Sequence, residues 1–365
     1  MEILQGKELL PYVKQYGRTL YREPEQALFF NWTNSGVALW FHGKTVMAEL
    51  TAMPGAEMDV NPMNGETTPR PTWPWLAVVV DQQEVPQRKF EVSQEHSTQL
   101  LFHADTEQTH CIRLAKLTEN GKGFLGLKSL YVDGTLLPVP ELPEQKKILF
   151  IGDSITCGFG NGVNDKNRLF FSEDEDGWMS HGAITARKLG MEETILSSSG
   201  IAVTLFPGWF HTWGMDDLYP YTDRILEEKL GLTEFTPWDF SRNRPDYVVL
   251  NLGTNDANAI QMMGEAEGMK LHRQRYTAFL KQLRTSCGEK CHIICALGTM
   301  DYYLFPEIQA AVAAYQAQTG DNRISCFRYP KMFFLDPIGA CGHPHVVTHE
   351  KMADAMASYI AQLEC

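Results

Sequence analysis

The segment Lys146–Thr156, which reads Lys-Lys-Ile-Leu-Phe-Ile-Gly-Asp-Ser-Ile-Thr, constrains the fold of this chain more than any other. Its apolar run Ile148–Ile151 predicts a short strand buried on both faces, as strands of parallel sheets are. Gly152 allows a tight turn after the strand, and Ser154 follows it. In open α/β sheets this position faces the crevice where ligands bind. We therefore predict that Ser154 is a nucleophile.

The length and composition indicate a globular enzyme of two domains. The 365 residues are about twice the usual domain length, and 44% of them are apolar, which is enough to build substantial cores. The formal net charge of -13 argues against nucleic acid or an anionic membrane as a partner. It favours a neutral or cationic ligand, and neutral sugars meet that condition.

The N-terminal residues lack the basic start and apolar stretch of a signal peptide, so we expect a cytoplasmic protein. Eight cysteines scattered along the chain then predict free thiols. Cys287, Cys291 and Cys295 lie beside His292 and raise the alternative of a zinc site. However, His292–Leu297 has the pattern of a buried strand, whose alternation would place the ligands on both faces. We therefore expect no bound metal.

Up to about Val139 the sequence pattern is that of an all-β domain. Short strand-like segments separated by turn residues predict a β-sandwich, specifically a jelly roll. His42-Gly43-Lys44 predicts a hairpin, and Met53–Pro74, which holds five prolines, predicts a long loop. The predicted strands are Gly36–Phe41, Thr45–Ala52, Leu76–Val80, Gln99–His103, His110–Lys116 and Leu127–Val132.

Three closely spaced prolines, at 138, 140 and 143, mark a domain boundary. We predict a β-sandwich domain over residues 1–139, a linker over 140–146 and a second domain over 147–365. In the second domain strands alternate with helices, which predicts a three-layer α/β/α domain with a parallel sheet. Its predicted elements are Ala183–Leu189, Thr194–Ser197, Asp246–Leu252, Leu271–Ser286, His292–Leu297, Glu307–Gln318 and Lys351–Leu363.

Three further polar motifs accompany the Ser154 turn. Asn251–Asp256 follows a buried strand, and Ser197–Gly200 follows another, so both arrive at the same carboxyl edge of the sheet as Ser154. Gly200 would allow a backbone N–H to approach a ligand closely. The last motif, His343-Pro344, lies just before the final predicted helix.

These motifs, in this order, resemble those of the SGNH (GDSL-type) hydrolases. The all-β domain before them and the tail from His343 to Ala353 make the whole chain similar to carbohydrate esterase family 2. The resemblance implies an acetyl esterase that acts on plant polysaccharides or their oligosaccharides. It also implies an oxyanion hole made of the backbone N–H groups of Ser154 and Gly200 and the side-chain amide of Asn255.

Acyl transfer needs a nucleophile, a base and donors for the developing oxyanion, and the motifs can supply each of them. Ser154 is the predicted nucleophile and His343 the predicted base, because the ordinary pKa of histidine suits this task near neutrality. His345 and His349 are the alternatives for the base. No metal or organic cofactor is expected.

The chain departs from the SGNH pattern before the histidine. Members of that superfamily usually carry an aspartate two or three residues ahead of it, where this chain has Cys341 and Ala340. We therefore predict a Ser154–His343 dyad, with a backbone carbonyl near Ala340 or Cys341 accepting the other ring proton. Asp336 is the weaker alternative.

Several aromatic residues are candidates for sugar contacts, since aromatic rings stack on sugars. They are Trp209, His211 and Trp213 in a loop after Gly208, and Trp73 and Trp75 in the proline-rich segment. Packing in a core is the competing interpretation.

The sequence thus predicts an O-acetyl esterase that acts on mannan- or xylan-type oligosaccharides through a serine acyl-enzyme. Two alternatives remain: a general SGNH lipase or thioesterase, and a non-catalytic carbohydrate-binding or sensing protein on a degenerate hydrolase scaffold. The missing aspartate motivates the second alternative. The sequence does not indicate an oligomeric state.

Overall fold

The computed structural model describes residues 2–60, 66–204 and 211–364. Its chain forms two compact units. The first contains residues 1–144, with 171–178 and 225–234, and the second contains 145–170, 179–224 and 235–365. The predicted linker, residues 140–146, includes the boundary between residues 144 and 145.

The first unit is an antiparallel β domain. Among the residues that the structure describes, nine of its strands form one sheet, in the order β3-β4-β11-β5-β10-β8-β9, with β1 on β11 and β2 on β5. Two more strands, β6 and β7, form a separate ribbon. The strands are Glu2–Gln5 (β1), Val13–Tyr16 (β2), Leu20–Arg22 (β3), Ala27–Phe29 (β4), Gly36–Met53 (β5), Gly55–Val60 (β6), Thr67–Thr72 (β7), Trp75–Val80 (β8), Arg88–Glu91 (β9), His96–Lys116 (β10) and Phe124–Leu137 (β11).

Bulges in the long strands keep the apolar side chains on the core face. In β11, Leu125 and Leu127 contribute to the core, and after a register shift Leu130 and Val132 do so. The extra residue at the bulge changes which positions point inward, and it also bends the strand. A strand can therefore curl around the core without exposing its apolar side chains.

Two predictions for this unit were wrong. The residues around Gly43 form no hairpin, because β5 runs straight through them and pairs with both β10 and β11. A Cβ atom on Gly43 would lie 2.1 Å from the carbonyl oxygen of Asp133, so this glycine serves a close strand contact. The proline-rich segment contains the ribbon β6–β7, where Pro69 and Pro71 are tolerated because the ribbon has open edges.

The second unit has a five-stranded parallel sheet in the order β13-β12-β14-β15-β16. With its helices it confirms the predicted α/β fold class. The strands are Lys147–Gly152 (β12), Glu192–Ser197 (β13), Tyr247–Asn251 (β14), His292–Leu297 (β15) and Ile324–Arg328 (β16). The α-helices of the chain are Ser154–Cys157 (α1), His181–Leu189 (α2), Met215–Leu218 (α3), Arg224–Lys229 (α4), Thr254–Met263 (α5), Glu265–Cys287 (α6), Phe305–Thr319 (α7) and Val346–Leu363 (α8).

Both faces of the parallel sheet are covered. Phe150 and Val249 pack with apolar residues of α2 and α8, such as Ala186 and Met352. The alternate position Leu250 points to the opposite face and is also buried. Burial on both faces explains the unbroken apolar strands of the sequence.

The register of the sheet brings three predicted motifs to one edge. Gly152 is paired with Ser197 of β13 on one side and with Asn251 of β14 on the other. The turns after these strands therefore leave the sheet side by side, which confirms the shared edge predicted from the sequence.

No helix in the described ranges combines the length and the apolar character that crossing a bilayer requires.

Candidate active site

Ser154 is held at the first turn of α1 by the residues around it. Strand β12 ends at Gly152, where a Cβ atom would lie 2.0 Å from Thr156 Oγ1, so the turn admits no side chain there. Asp153 caps the helix, because its Oδ1 accepts the backbone N–H of Ile155 at 3.0 Å. These contacts fix the position of Ser154 at the edge of the sheet.

His343 is the histidine that meets Ser154. Its Nε2 lies 2.9 Å from Ser154 Oγ, which is a hydrogen-bond distance. The two alternative histidines have other partners. The side chain of His345 caps the first turn of α8, and His349 Nδ1 accepts the backbone N–H of His181 at 3.0 Å in the interior.

The loop that carries His343 is anchored to the segment after α1 by backbone hydrogen bonds. Ala340 N–H donates to Gly160 O at 3.0 Å, and Val346 N–H donates to Asn161 O at 3.2 Å. Gly160 has φ of +62°, and a Cβ atom on it would lie 2.7 Å from Ala340 Cβ. The nucleophile segment and the base loop therefore pack directly on each other.

The His343 imidazole is neutral near pH 7. Burial lowers its pKa to about 4, because the charged form loses its hydration. The backbone carbonyl groups of Cys341 and Ala340 act in the opposite direction but do not offset the burial. A neutral ring with its Nε2 at the serine hydroxyl is able to accept the serine proton.

No carboxylate among the described residues orients the His343 ring. Its Nδ1 is buried and forms no hydrogen bond of normal geometry within that part of the chain, although the residue as a whole is partly exposed. The backbone carbonyl groups of Ala340 and Cys341, predicted to accept the other ring proton, do raise the pKa of the ring, although neither forms a hydrogen bond of normal geometry with Nδ1. Asp336 is engaged elsewhere, since its oxygens lie 2.6 and 2.7 Å from Lys351 Nζ.

The predicted oxyanion donors lie on the neighbouring turns. Gly200 has φ of +76°, a conformation that favours glycine. Asn255, in the first turn of α5, donates from Nδ2 to Ile201 O at 2.9 Å and, over a longer 3.4 Å, to Asp153 Oδ2. The Asn255 amide thus lies between the Gly200 turn and the turn of the nucleophile.

Two side chains hold the Gly200 turn in place. The buried carboxylate of Asp256 accepts the backbone N–H groups of Val203 at 3.2 Å and Thr204 at 2.8 Å. His211 Nε2 lies 2.7 Å from the carbonyl oxygen of Ser199. The structure therefore brings His211, a predicted sugar contact, to the backbone of the turn.

Sequence reasoning missed a buried histidine network behind the nucleophile. His181 Nε2 lies 3.3 Å from Thr156 Oγ1, and its Nδ1 lies 3.2 Å from the hydroxyl of Tyr329. Burial lowers the pKa of His181 to about 3 and also lowers that of His349, so both rings are neutral near pH 7. Nothing in the local sequence connects these residues, which are distant along the chain.

The predicted sugar-binding aromatics fall into three groups. Trp209 lies outside the described residues. Trp213 stacks on His211, with ring centroids 4.3 Å apart. Trp73 and Trp75 belong to the first unit, where Trp73 packs against the core and Trp75 begins β8.

An aromatic residue that the sequence analysis did not select contacts the base. The ring of Phe159 lies 4.5 Å from that of His343, centroid to centroid. In the sequence, Phe159 is distinguished by its position between Gly158 and Gly160, directly after α1.

Comparison with family sequence models agrees with the two-part architecture. Residues 150–346 match the GDSL-like lipase/acylhydrolase family, and residues 15–140 match the carbohydrate esterase 2 N-terminal domain.

Curated relatives resemble the chain over part of their own length. The cellulase/esterase CelE of Acetivibrio thermocellus is 30% identical over 90% of this chain and 37% of CelE. An acetylxylan esterase/glucomannan deacetylase of Cellvibrio japonicus is 28% identical over 67% of this chain and 62% of that protein. The chain therefore spans less than two thirds of either relative.

Solved structures are similar over nearly the whole chain. A family two carbohydrate esterase from Clostridium thermocellum, solved in complex with cellohexaose, has 27% identity and a TM-score of 0.80 and covers 96% of this chain and 98% of its own. An acetyl xylan esterase from the rumen bacterium Butyrivibrio proteoclasticus, at 20% identity, shares the fold with a TM-score of 0.83, covering 99% of this chain and 98% of its own. By its matched catalytic-domain family and its N-terminal domain, the chain belongs to the GDSL-like lipase/acylhydrolases and resembles carbohydrate esterase family 2.

Proposed function

We propose that this protein is a carbohydrate O-acetyl esterase that acts through a Ser154 acyl-enzyme. The observation that carries the proposal is the 2.9 Å contact between Ser154 Oγ and the Nε2 of a neutral His343. A serine hydroxyl is a weak nucleophile until a neighbouring base takes its proton, and this pair supplies the base. Gly200 and Asn255 on the adjacent turns supply candidate oxyanion donors.

In the first half of the reaction, Ser154 Oγ attacks the acetyl carbonyl carbon and His343 Nε2 takes the hydroxyl proton. The tetrahedral intermediate then collapses, the bond to the sugar oxygen breaks, and His343 returns the proton to that oxygen. The deacetylated sugar leaves, and the acetyl group remains on Ser154.

In the second half, water attacks the acetyl-serine ester while His343 accepts a proton from the water. Collapse of the second intermediate releases acetate, and the proton returns to Ser154 Oγ. In both halves negative charge develops on the carbonyl oxygen, where the backbone N–H groups of Ser154 and Gly200 and the amide of Asn255 would donate. The bond to the Ile201 carbonyl orients that amide before substrate arrives, and the N–H in the longer contact with Asp153 would turn to donate to the oxyanion.

Mannan- or xylan-type acetylated oligosaccharides are the substrates that we propose. The names of the Acetivibrio and Cellvibrio relatives combine esterase or deacetylase activity with cellulase, acetylxylan and glucomannan. A net charge of -13 agrees with a neutral sugar rather than a polyanion. Trp213 and His211, stacked beside the Gly200 turn, are the described aromatics that we propose for sugar contact in this unit.

A comparison of acyl chain lengths tests the acetyl specificity. We expect acetate to be released from acetylated manno- or xylo-oligosaccharides, followed by NMR, and p-nitrophenyl acetate to be cleaved much faster than the butyrate or octanoate. The described side chains on the turns around Ser154, such as Asn255 and His211, are polar and offer little apolar surface to a longer acyl chain. Equal rates with longer esters would favour a general lipase or thioesterase instead.

The pH dependence of kcat/KM provides an independent test. Only the neutral imidazole of His343 can accept the serine proton, and burial keeps it neutral down to about pH 4. We therefore expect the acidic limb of the profile near pH 4, with activity lost as the pH falls through that value. An acidic limb near the ordinary histidine pKa of about 6.5 would contradict a buried, desolvated base.

A cytoplasmic location stays a prediction. Thiols stay reduced in the cytoplasm, and none of the described cysteines, including the exposed Cys341, forms a disulfide.

A further inference from the structure

We propose that Phe159 is a positioning residue for His343: its ring, in the place of a carboxylate, holds the imidazole in the orientation that meets Ser154. This inference rests on the proposed function, because it concerns the base of the same reaction. It addresses the question that the missing aspartate raises, namely what keeps the His343 ring in place.

The ring geometry is the first support. The Phe159 and His343 centroids are 4.5 Å apart with an interplanar angle of 45°, so the two rings are in contact. Phe159 is itself fixed from behind, because it stacks on Phe170 with centroids 4.1 Å apart and an angle of 17°. The side chains of both phenylalanines are buried. Rotation of the imidazole about its side-chain bonds would therefore collide with a packed aromatic pair.

The backbone provides the second support. Phe159 N–H donates to the carbonyl oxygen of Ser154 at 3.1 Å, so Phe159 is tied to the nucleophile's own helical turn. The next residue, Gly160, accepts the Ala340 N–H from the base loop. The segment that carries Phe159 is thus bonded to both partners of the dyad, and its ring has a fixed place relative to each.

The other described groups near His343 do not fix the plane of its ring. Among the described residues no carboxylate reaches His343, and Asp336 is paired with Lys351. The backbone carbonyls of Ala340 and Cys341 act on the ring and raise its pKa without a hydrogen bond of normal geometry to Nδ1. Besides the bond between Nε2 and Ser154, the described residues give the His343 ring this contact with Phe159, which restricts the plane that the imidazole can adopt.

An aromatic ring also suits the change of charge during the reaction. When His343 takes the serine proton, a positive charge develops beside the ring of Phe159, whose face carries a negative potential. The contact can therefore favour the imidazolium of the transition state. A contact of this kind raises the pKa of His343 by less than burial lowers it, so the resting imidazole stays neutral.

The test compares Phe159→Leu, which keeps an apolar side chain without a ring, with Phe159→Tyr, which keeps the ring. For Phe159→Leu we expect kcat for acetate release to fall about 10- to 100-fold with KM nearly unchanged, because the base is misplaced while the sugar site is intact. The acidic limb of kcat/KM should move up towards the ordinary histidine pKa as water reaches the ring. Phe159→Tyr should restore both quantities nearly to the wild-type values.

Phe240→Leu is the matched control. Phe240 is a partly buried aromatic of the same unit that packs on Tyr219, with centroids 5.0 Å apart, and it has no contact with the dyad among those described. The Phe240→Leu variant should lose packing contacts, while its kcat and the acidic limb of its kcat/KM profile stay unchanged. Thermal unfolding of each variant separates lost stability from lost positioning.

Three outcomes would overturn the inference. One is a Phe159→Leu enzyme with unchanged kcat and pH profile, and another is a Phe159→Tyr enzyme as impaired as Phe159→Leu. If neither Phe159→Leu nor the more flexible Phe159→Met folds, Phe159 is a core residue and the positioning role is rejected. Wild-type protein without Ser154-dependent acetate release would instead refute the proposed function, whatever the Phe159 variants do.

Discussion

Replacing Ser154 with alanine is expected to lower acetate release from acetylated oligosaccharides by about 10⁴-fold or more, because the acyl-enzyme can no longer form. The substitution removes one hydroxyl at a partly exposed position, so folding should be retained. Binding of the oligosaccharide should also be retained, since Ser154 contributes little to ground-state affinity. The measurement is the rate of acetate release by NMR, together with calorimetric binding of the deacetylated oligosaccharide.

Ser241→Ala is a suitable control for this experiment. Ser241 is an exposed serine of the same unit whose hydroxyl bonds to Asp239, and no described contact links it to the dyad. It should leave the rate unchanged. If wild type and Ser154→Ala release acetate equally slowly while both bind the oligosaccharide, the protein is a carbohydrate-binding module on a degenerate hydrolase scaffold.

The fold of the second unit was predictable because its strands are buried on both faces. The apolar run before Gly152 admits few interpretations, and the strand predicted at His292–Leu297 has those bounds in the structure. By contrast, β16 (Ile324–Arg328) was not predicted, since its partly buried and polar residues lack a continuous apolar run. Helix α5 was also missed, because Gly253-Thr254-Asn255-Asp256 has the composition of a turn.

The first unit shows where local signals mislead. Gly43 between two apolar segments indicates a hairpin by sequence, yet it serves a close approach to the neighbouring strand. The difference depends on Asp133, which is about ninety residues away along the chain. A glycine required by a turn and one required by a neighbouring backbone look the same in a single sequence.

The candidate site was predictable wherever a residue lies at the end of a strand. Ser154, Gly200 and Asn255 follow strands whose register brings them to one edge. Phe159 was not predictable in the same way, since an aromatic residue beside glycines more often packs in a core. Only the three-dimensional contact with His343 distinguishes the two roles.

Replacing His343 with alanine is expected to reduce kcat for acetate release by about 10⁴-fold, because the serine then has no base and the sugar oxygen has no acid. His345→Ala is the matched control. His345 lies two residues away and caps α8, so its loss should cost about 1 kcal/mol in the free energy of unfolding. Its kcat should stay near the wild-type value. Equal losses of activity in the two variants would contradict the assignment of His343 as the base.

The double variant Ser154→Ala/His343→Ala decides whether the two residues act as one unit. Residues that share a single proton transfer have strongly non-additive effects, so the double variant should be hardly slower than Ser154→Ala alone. If the two losses multiply instead, His343 contributes through some step other than activation of Ser154. The 2.9 Å contact between His343 Nε2 and Ser154 Oγ would then be present in the resting enzyme without serving the proton transfer.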